Sequence, residues 1–190
     1  MERSMKFLRI IEGISAWVNK AAINASIVIF IVMTLIVWVQ IFFRFIIGGG
    51  LAWSEEIAKF MMVWMALLGS SVLFHEGGHI AINYFISRLS FLRHILMAHA
   101  IISAVLFVLL IYYGIDYAVF GLRSISPASG IQKFWPYLAI PVGGGFLLIQ
   151  AFARFIHVLF TGDERIRAEE DARAKHELLA ALGEEEPLAD

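Results

Sequence analysis

A zinc-protease pattern lies in the first half of the chain, where residues 75–79 read HEGGH and match H-E-x-x-H. In such enzymes both histidines project from one continuous helix, a third residue completes the metal site, and the glutamate acts as general base. Two consecutive glycines each cost a helix about 1 kcal/mol relative to alanine, so they favour the end of a helix over its interior. Whether this stretch can bind a catalytic metal therefore depends on the elements that carry it.

The composition is that of a membrane protein. Of 190 residues, 60% are hydrophobic and 16% are charged, whereas soluble domains average about 45–50% apolar and about 25% charged. Residues 1–160 carry eleven basic and six acidic side chains, and residues 161–190 carry four basic and ten acidic ones. The chain has no cysteine, which excludes disulfides, thiolate metal sites and a cysteine nucleophile.

Four apolar stretches are long enough to cross a bilayer, for which a helix needs about 20 residues. They cover about 21–47, 57–73, 94–120 and 135–160. The first run is too long for a signal peptide, whose apolar region has about 7–15 residues. The sequence therefore predicts an all-α membrane protein with one four-helix transmembrane domain, residues 21–160.

The distribution of arginine and lysine predicts the orientation of these spans. Basic residues are concentrated in the N-terminal segment, in the second connection and on the C-terminal side, which the positive-inside rule places in the cytoplasm. Both termini are then cytoplasmic, and the connections at about 48–55 and 121–134 face outward.

The two terminal segments are predicted separately. Residues 1–20 carry apolar side chains on one helical face and charges mostly opposite, which is typical of a helix lying on the inner membrane surface. A continuous extension of the first span remains the alternative. Residues 161–190 are predicted to form an acidic cytoplasmic tail that begins as a helix, supported by i,i+4 charge pairs.

This topology argues against a zinc protease. The HEGGH stretch falls at the inner end of the second span, whereas Asp116, the one aspartate within a span, falls near the outer end of the third. The hydrocarbon core is about 30 Å thick and metal–ligand bonds are about 2 Å long, so Asp116 is not the third ligand. His94 or His99 would approach from the correct side, which leaves simple metal binding open.

A haem-carrying redox anchor is the alternative from another functional class. His99 and His157 are each predicted about one turn inside the inner boundary, on different spans, and axial histidine is a common haem ligand. Interfacial histidines that bond to carbonyls or lipid headgroups explain the same positions. A homo-oligomeric small exporter is a further alternative.

Charged residues flank the first outward connection. Ser54 is predicted to cap the second span, with Glu55 and Glu56 in its first turn, where the helix dipole favours negative charge. Arg44 lies near the hydrocarbon boundary, where a cation is costly unless it is paired or reaches water, so we expect an Arg44–Glu56 ion pair. Small residues, among them Gly69 and the cluster after Pro141, are expected where helices approach closely.

No predicted span carries an ionisable residue at its centre, although transporters usually place one on the substrate path. The residues alone therefore favour a scaffold or partner subunit without enzymatic activity.

Residues 44–85, "RFIIGGGLAWSEEIAKFMMVWMALLGSSVLFHEGGHIAINYF", resemble the most recognisable segment of the small membrane subunit of TRAP (tripartite ATP-independent periplasmic) transporters. The matching positions are Arg44, Trp53, Glu55, Glu56, Trp64, Gly69, Gly78, His79, Ile80 and Ile82. The match departs at Asn83, where the family usually has aspartate.

The resemblance implies a small scaffold subunit in the bacterial inner membrane. Its partners would be a large membrane subunit that carries organic acids with sodium, a periplasmic binding protein that delivers them, and membrane lipids. It implies no cofactor, metal or nucleic acid, and it makes His79 a structural residue. Arg123 and Lys133, in the second outward connection, are the candidates for docking the binding protein.

Overall fold

The computed structural model describes residues 2–76 and 92–161 together with scattered positions between Arg165 and Leu179. The helices are α1 (Glu2–Phe42), α2 (Ala52–Glu76), α3 (Leu92–Gly121), the short α4 (Phe134–Tyr137) and α5 (Ala139–Phe160). Helices α1, α2, α3 and the combined stretch of α4 and α5 are each long and apolar enough to span a membrane. The predicted all-helical fold with four spans is confirmed.

The first helix is longer than its predicted span. Helix α1 contains 41 residues without a break, about twice the number that a bilayer requires. Residues 2–20 therefore continue the helix of the first span. Their placement against a membrane surface stays a prediction.

A π-helical turn, Phe43–Ile47, follows α1 directly and includes Arg44. Gly48 then adopts a left-handed conformation with φ of 77°, and its amide donates to the carbonyl of Phe43. Glycine adopts this conformation without the steric cost that a Cβ imposes. The turn lets the chain leave α1 and enter α2 after a four-residue connection, residues 48–51.

Helix α2 begins earlier than predicted, and its serine plays a different role. It starts at Ala52, so Ser54 lies inside its first turn. The Ser54 hydroxyl donates to the carbonyl of Leu51 over 2.6 Å, whereas an N-cap side chain would accept from a backbone amide. The predicted Ser54 cap is therefore wrong, because the three residues before Glu55 are already helical.

Helix α5 lies at the centre of the bundle and contacts α1, α2 and α3. Its glycines permit this packing. A Cβ at Gly143 would lie 2.6 Å from the Cβ of Leu67 on α2, and a Cβ at Gly114 on α3 would lie 2.9 Å from Pro141. Both distances are shorter than van der Waals contact, which is about 3.5–4.0 Å for carbon atoms. The expectation of close approach is correct for Gly143 in the cluster that follows Pro141.

Gly69 does not share that role within the described bundle. A Cβ at Gly69 would meet no heavy atom of the described residues within 4 Å. Gly69 instead lines an open groove of about 440 Å³ on the side of the bundle, between α1 and α2.

The C-terminal tail begins by packing against the end of the bundle where α3 begins and α5 ends. Ile166 is 2% exposed and forms a small apolar cluster with Leu92 of α3 and Val158 of α5. The described positions between Arg165 and Leu179 are helical. The start of the tail is thus part of the folded structure.

Candidate functional site

The second connection that was predicted to face outward forms a small hairpin, residues 122–133, which we call the outer hairpin. An isolated antiparallel bridge joins Ile125 to Gln132. The amide of Lys133 donates to the carbonyl of Ser124 over 2.9 Å, and that of Ser126 donates to the carbonyl of Ile131 over 2.9 Å. These bonds close the hairpin at its base.

The outer hairpin brings together the two cations that were predicted to dock a partner. Arg123 immediately precedes Ser124, whose carbonyl accepts from Lys133, so the two cationic residues lie at the base of one hairpin although they are ten positions apart. Arg123 is exposed and Lys133 is half-buried. Three exposed apolar residues adjoin them: Leu122, Ile125 and Trp135. The structure therefore combines positive charge with apolar surface at one end of the bundle.

Glu56 of α2 holds this hairpin. Its carboxylate accepts a hydrogen bond from the hydroxyl of Ser126 and another from the amide of Ser129 over 2.8 Å. Ser126 is 1% exposed. The carboxylate thus supplies acceptors to a turn whose backbone cannot pair all its own donors.

The expected Arg44–Glu56 ion pair is absent. Both residues lie in the described part of the chain, where the guanidinium of Arg44 sits 5.9 Å from the centroid of the Phe45 ring and Glu56 bonds to the two serines. The neighbouring Glu55 pairs with Lys59 over 2.8 Å, and both of these side chains are largely exposed. The predicted partner of Glu56 was wrong because the sequence offered nearby charges for it, whereas its actual donors are serines of a distant connection.

The remaining predicted residues lie either in α2 or outside the described residues. Trp53 is the second residue of α2 and is 40% exposed, and Trp64 is half-buried further along that helix. Gly78 and His79 lie outside the described residues, as do Ile80, Ile82 and Asn83.

A second polar site joins three helices at the predicted inner end. His75 Nδ1 lies 3.0 Å from the hydroxyl of Ser15 and 2.9 Å from Gln150 Oε1. Ser15 also donates to Gln150 Oε1, and Gln150 Nε2 donates to the carbonyl of Ser15 over 3.1 Å. Because an amide oxygen only accepts, the bond from His75 to Gln150 Oε1 requires the histidine tautomer with its proton on Nδ1. We call these three residues the inner polar cluster.

A cavity of about 230 Å³ adjoins the inner polar cluster and is also lined by Glu12, Arg154 and His157. His157 Nε2 lies 3.9 Å from a Glu12 carboxylate oxygen, and the His99 ring stacks on Phe74 at 5.7 Å. The two histidines considered as haem ligands are thus engaged with other side chains of this chain. Among the described residues, no group of three or more histidine, aspartate or glutamate side chains is placed to hold a metal ion.

Comparison with known proteins identifies the family. Residues 33–161 match the family model described as "Tripartite ATP-independent periplasmic transporters, DctQ component". The chain is 24% identical over 129 residues to the sialic acid TRAP transporter small permease protein SiaQ of Vibrio cholerae, covering 67% of this chain and 74% of that protein. It is 29% identical over 125 residues to the C4-dicarboxylate TRAP transporter small permease protein DctQ of Rhodobacter capsulatus, covering 60% of this chain and 50% of that protein.

A longer permease also contains a similar segment. The sialic acid TRAP transporter permease protein SiaT of Haemophilus influenzae is 29% identical over 121 residues, which cover 60% of this chain and 19% of that protein. The family match extends over most of the four-span region. This chain is therefore a multi-pass membrane protein that belongs to the DctQ family, the small permease subunits of TRAP transporters.

Proposed function

We propose that this chain is the small scaffold subunit of a sodium-coupled TRAP transporter that imports organic acids delivered by a periplasmic binding protein. The family match over residues 33–161 carries this proposal. The names of two relatives specify sialic acid and C4-dicarboxylates, both of which are organic acids. The segment of SiaT that resembles this chain makes up 19% of a longer permease, which supports a large membrane subunit as the direct partner here.

A supporting role fits the distribution of polar groups along the described spans. Glu55, Glu56 and Asp116 lie towards the predicted outer ends of their helices, and the inner polar cluster lies at the opposite end. A groove of about 400 Å³ between α3 and α5 is lined by apolar side chains alone. Substrate and ion handling are therefore assigned to the large subunit.

The orientation that follows has both termini in the cytoplasm. The excess of arginine and lysine on that side supports it. Ile10, Ile14 and Trp17 are 60%, 51% and 72% exposed along the first half of α1, which suits contact with the inner membrane surface. The outer hairpin then faces the periplasm, where Arg123 and Lys133 offer positive charge to the binding protein.

Charge reversal tests the docking part of this proposal. The double variant Arg123→Glu, Lys133→Glu should need several times more binding protein for half-maximal uptake, because like charges slow the encounter between two protein surfaces. Uptake is measured in liposomes that contain this chain with its large subunit, as binding protein is titrated under an inward sodium gradient.

The matched control is Arg165→Glu, an exposed position at the opposite end of the molecule. It should leave the titration unchanged, and copurification with the large subunit should be normal for every variant. An unchanged titration for the double variant would remove the docking role from these two residues. Failure of the chain to copurify with any large permease would contradict the scaffold role.

A further inference from the structure

The outer hairpin is tied to the bundle by one side chain from another helix. Glu56 is 70 positions from Ser126 and 73 from Ser129, so its two hydrogen bonds connect the beginning of α2 with the tip of the connection between α3 and α4. The two backbone hydrogen bonds between the strands of the hairpin, Lys133 to Ser124 and Ser126 to Ile131, lie nearer its base and flank the bridged pair Ile125–Gln132. The Glu56 bonds are therefore the ones that fix the tip against α2.

One backbone amide of the tip finds its hydrogen-bond partner outside the hairpin. Gly130 adopts a positive φ of 70°, and its amide donates to the carbonyl of Ser126 over 3.0 Å. The amide of Ser129 points out of this turn and bonds to Glu56 Oε2. A carboxylate accepts such bonds more strongly than a neutral group does, because charge-assisted hydrogen bonds are the stronger class.

From this geometry we propose that Glu56 is a positioning residue: by tying the tip of the outer hairpin to α2, it fixes the orientation in which the hairpin, with Arg123 and Lys133 at its base, is presented to the binding protein. A flexible hairpin would lose conformational freedom on binding, and that loss weakens association. Because Glu56 already orders the hairpin in the free transporter, less conformational freedom is lost when the binding protein docks. The first half of the inference, an ordered hairpin, stands on the described contacts, and the second half, its use in docking, rests on the proposed function.

The adjacent residue provides a matched control. Glu55 has the same charge and lies one position away, but it pairs with Lys59 on its own helix. The variants Glu56→Gln and Glu55→Gln remove the same charge from the same helical turn. Only Glu56→Gln turns one acceptor oxygen into an amide donor that faces the donors of the hairpin.

Hydrogen exchange of the complete transporter tests the first half. With Glu56→Gln, the backbone amides of residues 124–133, except Pro127, which has none, should exchange at least about tenfold faster. Loss of a charge-assisted hydrogen bond lowers the free energy needed to open the hairpin locally. Glu55→Gln should leave these rates unchanged. Ser126→Ala, which removes one donor from Glu56 and keeps the carboxylate, serves as a second variant and should raise the rates by a smaller factor. Unchanged exchange in both Glu56→Gln and Ser126→Ala would overturn the inference.

The titration of binding protein tests the second half. Glu56→Gln should raise the concentration for half-maximal uptake several-fold and leave the rate at saturation unaltered, because the hairpin only has to be ordered during docking. Faster exchange with an unaltered titration would overturn the positioning role, provided that the Arg123→Glu, Lys133→Glu variant shifts the titration. If the charge-reversal variant also has no effect, the proposed docking site is contradicted. The ordering of the hairpin by Glu56 is then tested by the hydrogen-exchange measurement alone.

Discussion

The inner polar cluster is the clearest case in which individual residues determine how the helices associate. Ser15, His75 and Gln150 come from α1, α2 and α5, and the side chains of Ser15 and Gln150 are 3% and 2% exposed. A polar group buried in an apolar bundle is costly unless it is hydrogen-bonded. Each of these residues therefore requires the other two helices to be present.

Truncation of Gln150 should destabilise the bundle. Gln150→Ala removes the acceptor of His75 and the donor to the Ser15 carbonyl, and buried groups left without partners cost about 1–3 kcal/mol. We expect the thermal unfolding midpoint of the purified protein in detergent to fall by several degrees. Ser70→Ala is the control, because the Ser70 hydroxyl bonds to Ala66 within its own helix and is exposed. Equal midpoints for Gln150→Ala and the unmodified protein would contradict this account.

At the residue scale the sequence predicted where polar groups lie better than it predicted their partners. Glu56 was placed at the outer end of the second span, and Arg123 and Lys133 in the second connection, from charge and apolar length alone. The serines that bond to Glu56 could not be predicted as its partners, because they are 70 and 73 positions away along the chain. Gln150 within the fourth apolar run and His75 at the end of the second were signals for the inner polar cluster, since a polar side chain in a membrane span needs a partner.

At the scale of elements, glycine determines how closely α5 packs. Residues 143–145 are three consecutive glycines, but they have different surroundings. Gly143 faces Leu67 of α2, and a Cβ at Gly144 would lie 3.0 Å from Ile111 of α3. A Cβ at Gly145 would meet no heavy atom of the described residues within 4 Å. Two of the three glycines thus face helices on different sides of α5.

Alanine substitution at Gly143 should separate α2 from α5. The new Cβ would lie 2.6 Å from the Cβ of Leu67, and neither atom can rotate away because each is fixed to its backbone. Such overpacking costs about 1–3 kcal/mol. We expect a lower thermal midpoint for Gly143→Ala. Gly145→Ala should be neutral or slightly stabilising, because alanine favours a helix by about 1 kcal/mol over glycine. A lower midpoint for Gly145→Ala together with an unaltered one for Gly143→Ala would contradict the packing described.

The lengths of the apolar stretches predicted the number and order of the spans but underestimated the lengths of the helices. The second span was predicted at 57–73 and lies within α2, Ala52–Glu76, because a helix continues into the membrane interface where polar side chains are tolerated. Residues 1–20 were predicted to lie on the membrane surface, with a continuous extension of the first span as the alternative, and residues 2–20 do continue that helix. The π-helical turn after α1 was not predicted, since its five residues are apolar or basic and resemble the rest of the span.

At the scale of the whole molecule, the two side-chain hydrogen-bond networks described above lie at opposite ends of an apolar bundle. The outer hairpin lies at one end and the inner polar cluster at the other, with the apolar parts of the four spans between them. In α1, none of the residues in its most apolar stretch is buried within this chain, whereas 44% are buried in the corresponding stretch of the fourth span. A large apolar surface is therefore left for lipid or for the large subunit.

This arrangement predicts that the chain alone does not transport. A polar solute crossing the bilayer needs polar groups at mid-depth, and the two grooves of about 400 and 440 Å³ on the described bundle are lined mainly by apolar and small side chains. Liposomes containing the purified chain should take up radiolabelled sialic acid or succinate no faster than protein-free liposomes under an inward sodium gradient. Liposomes that also contain the large subunit, supplied with binding protein, are the positive control. Concentrative uptake by the chain alone would assign the transport path to these four spans and end the scaffold interpretation.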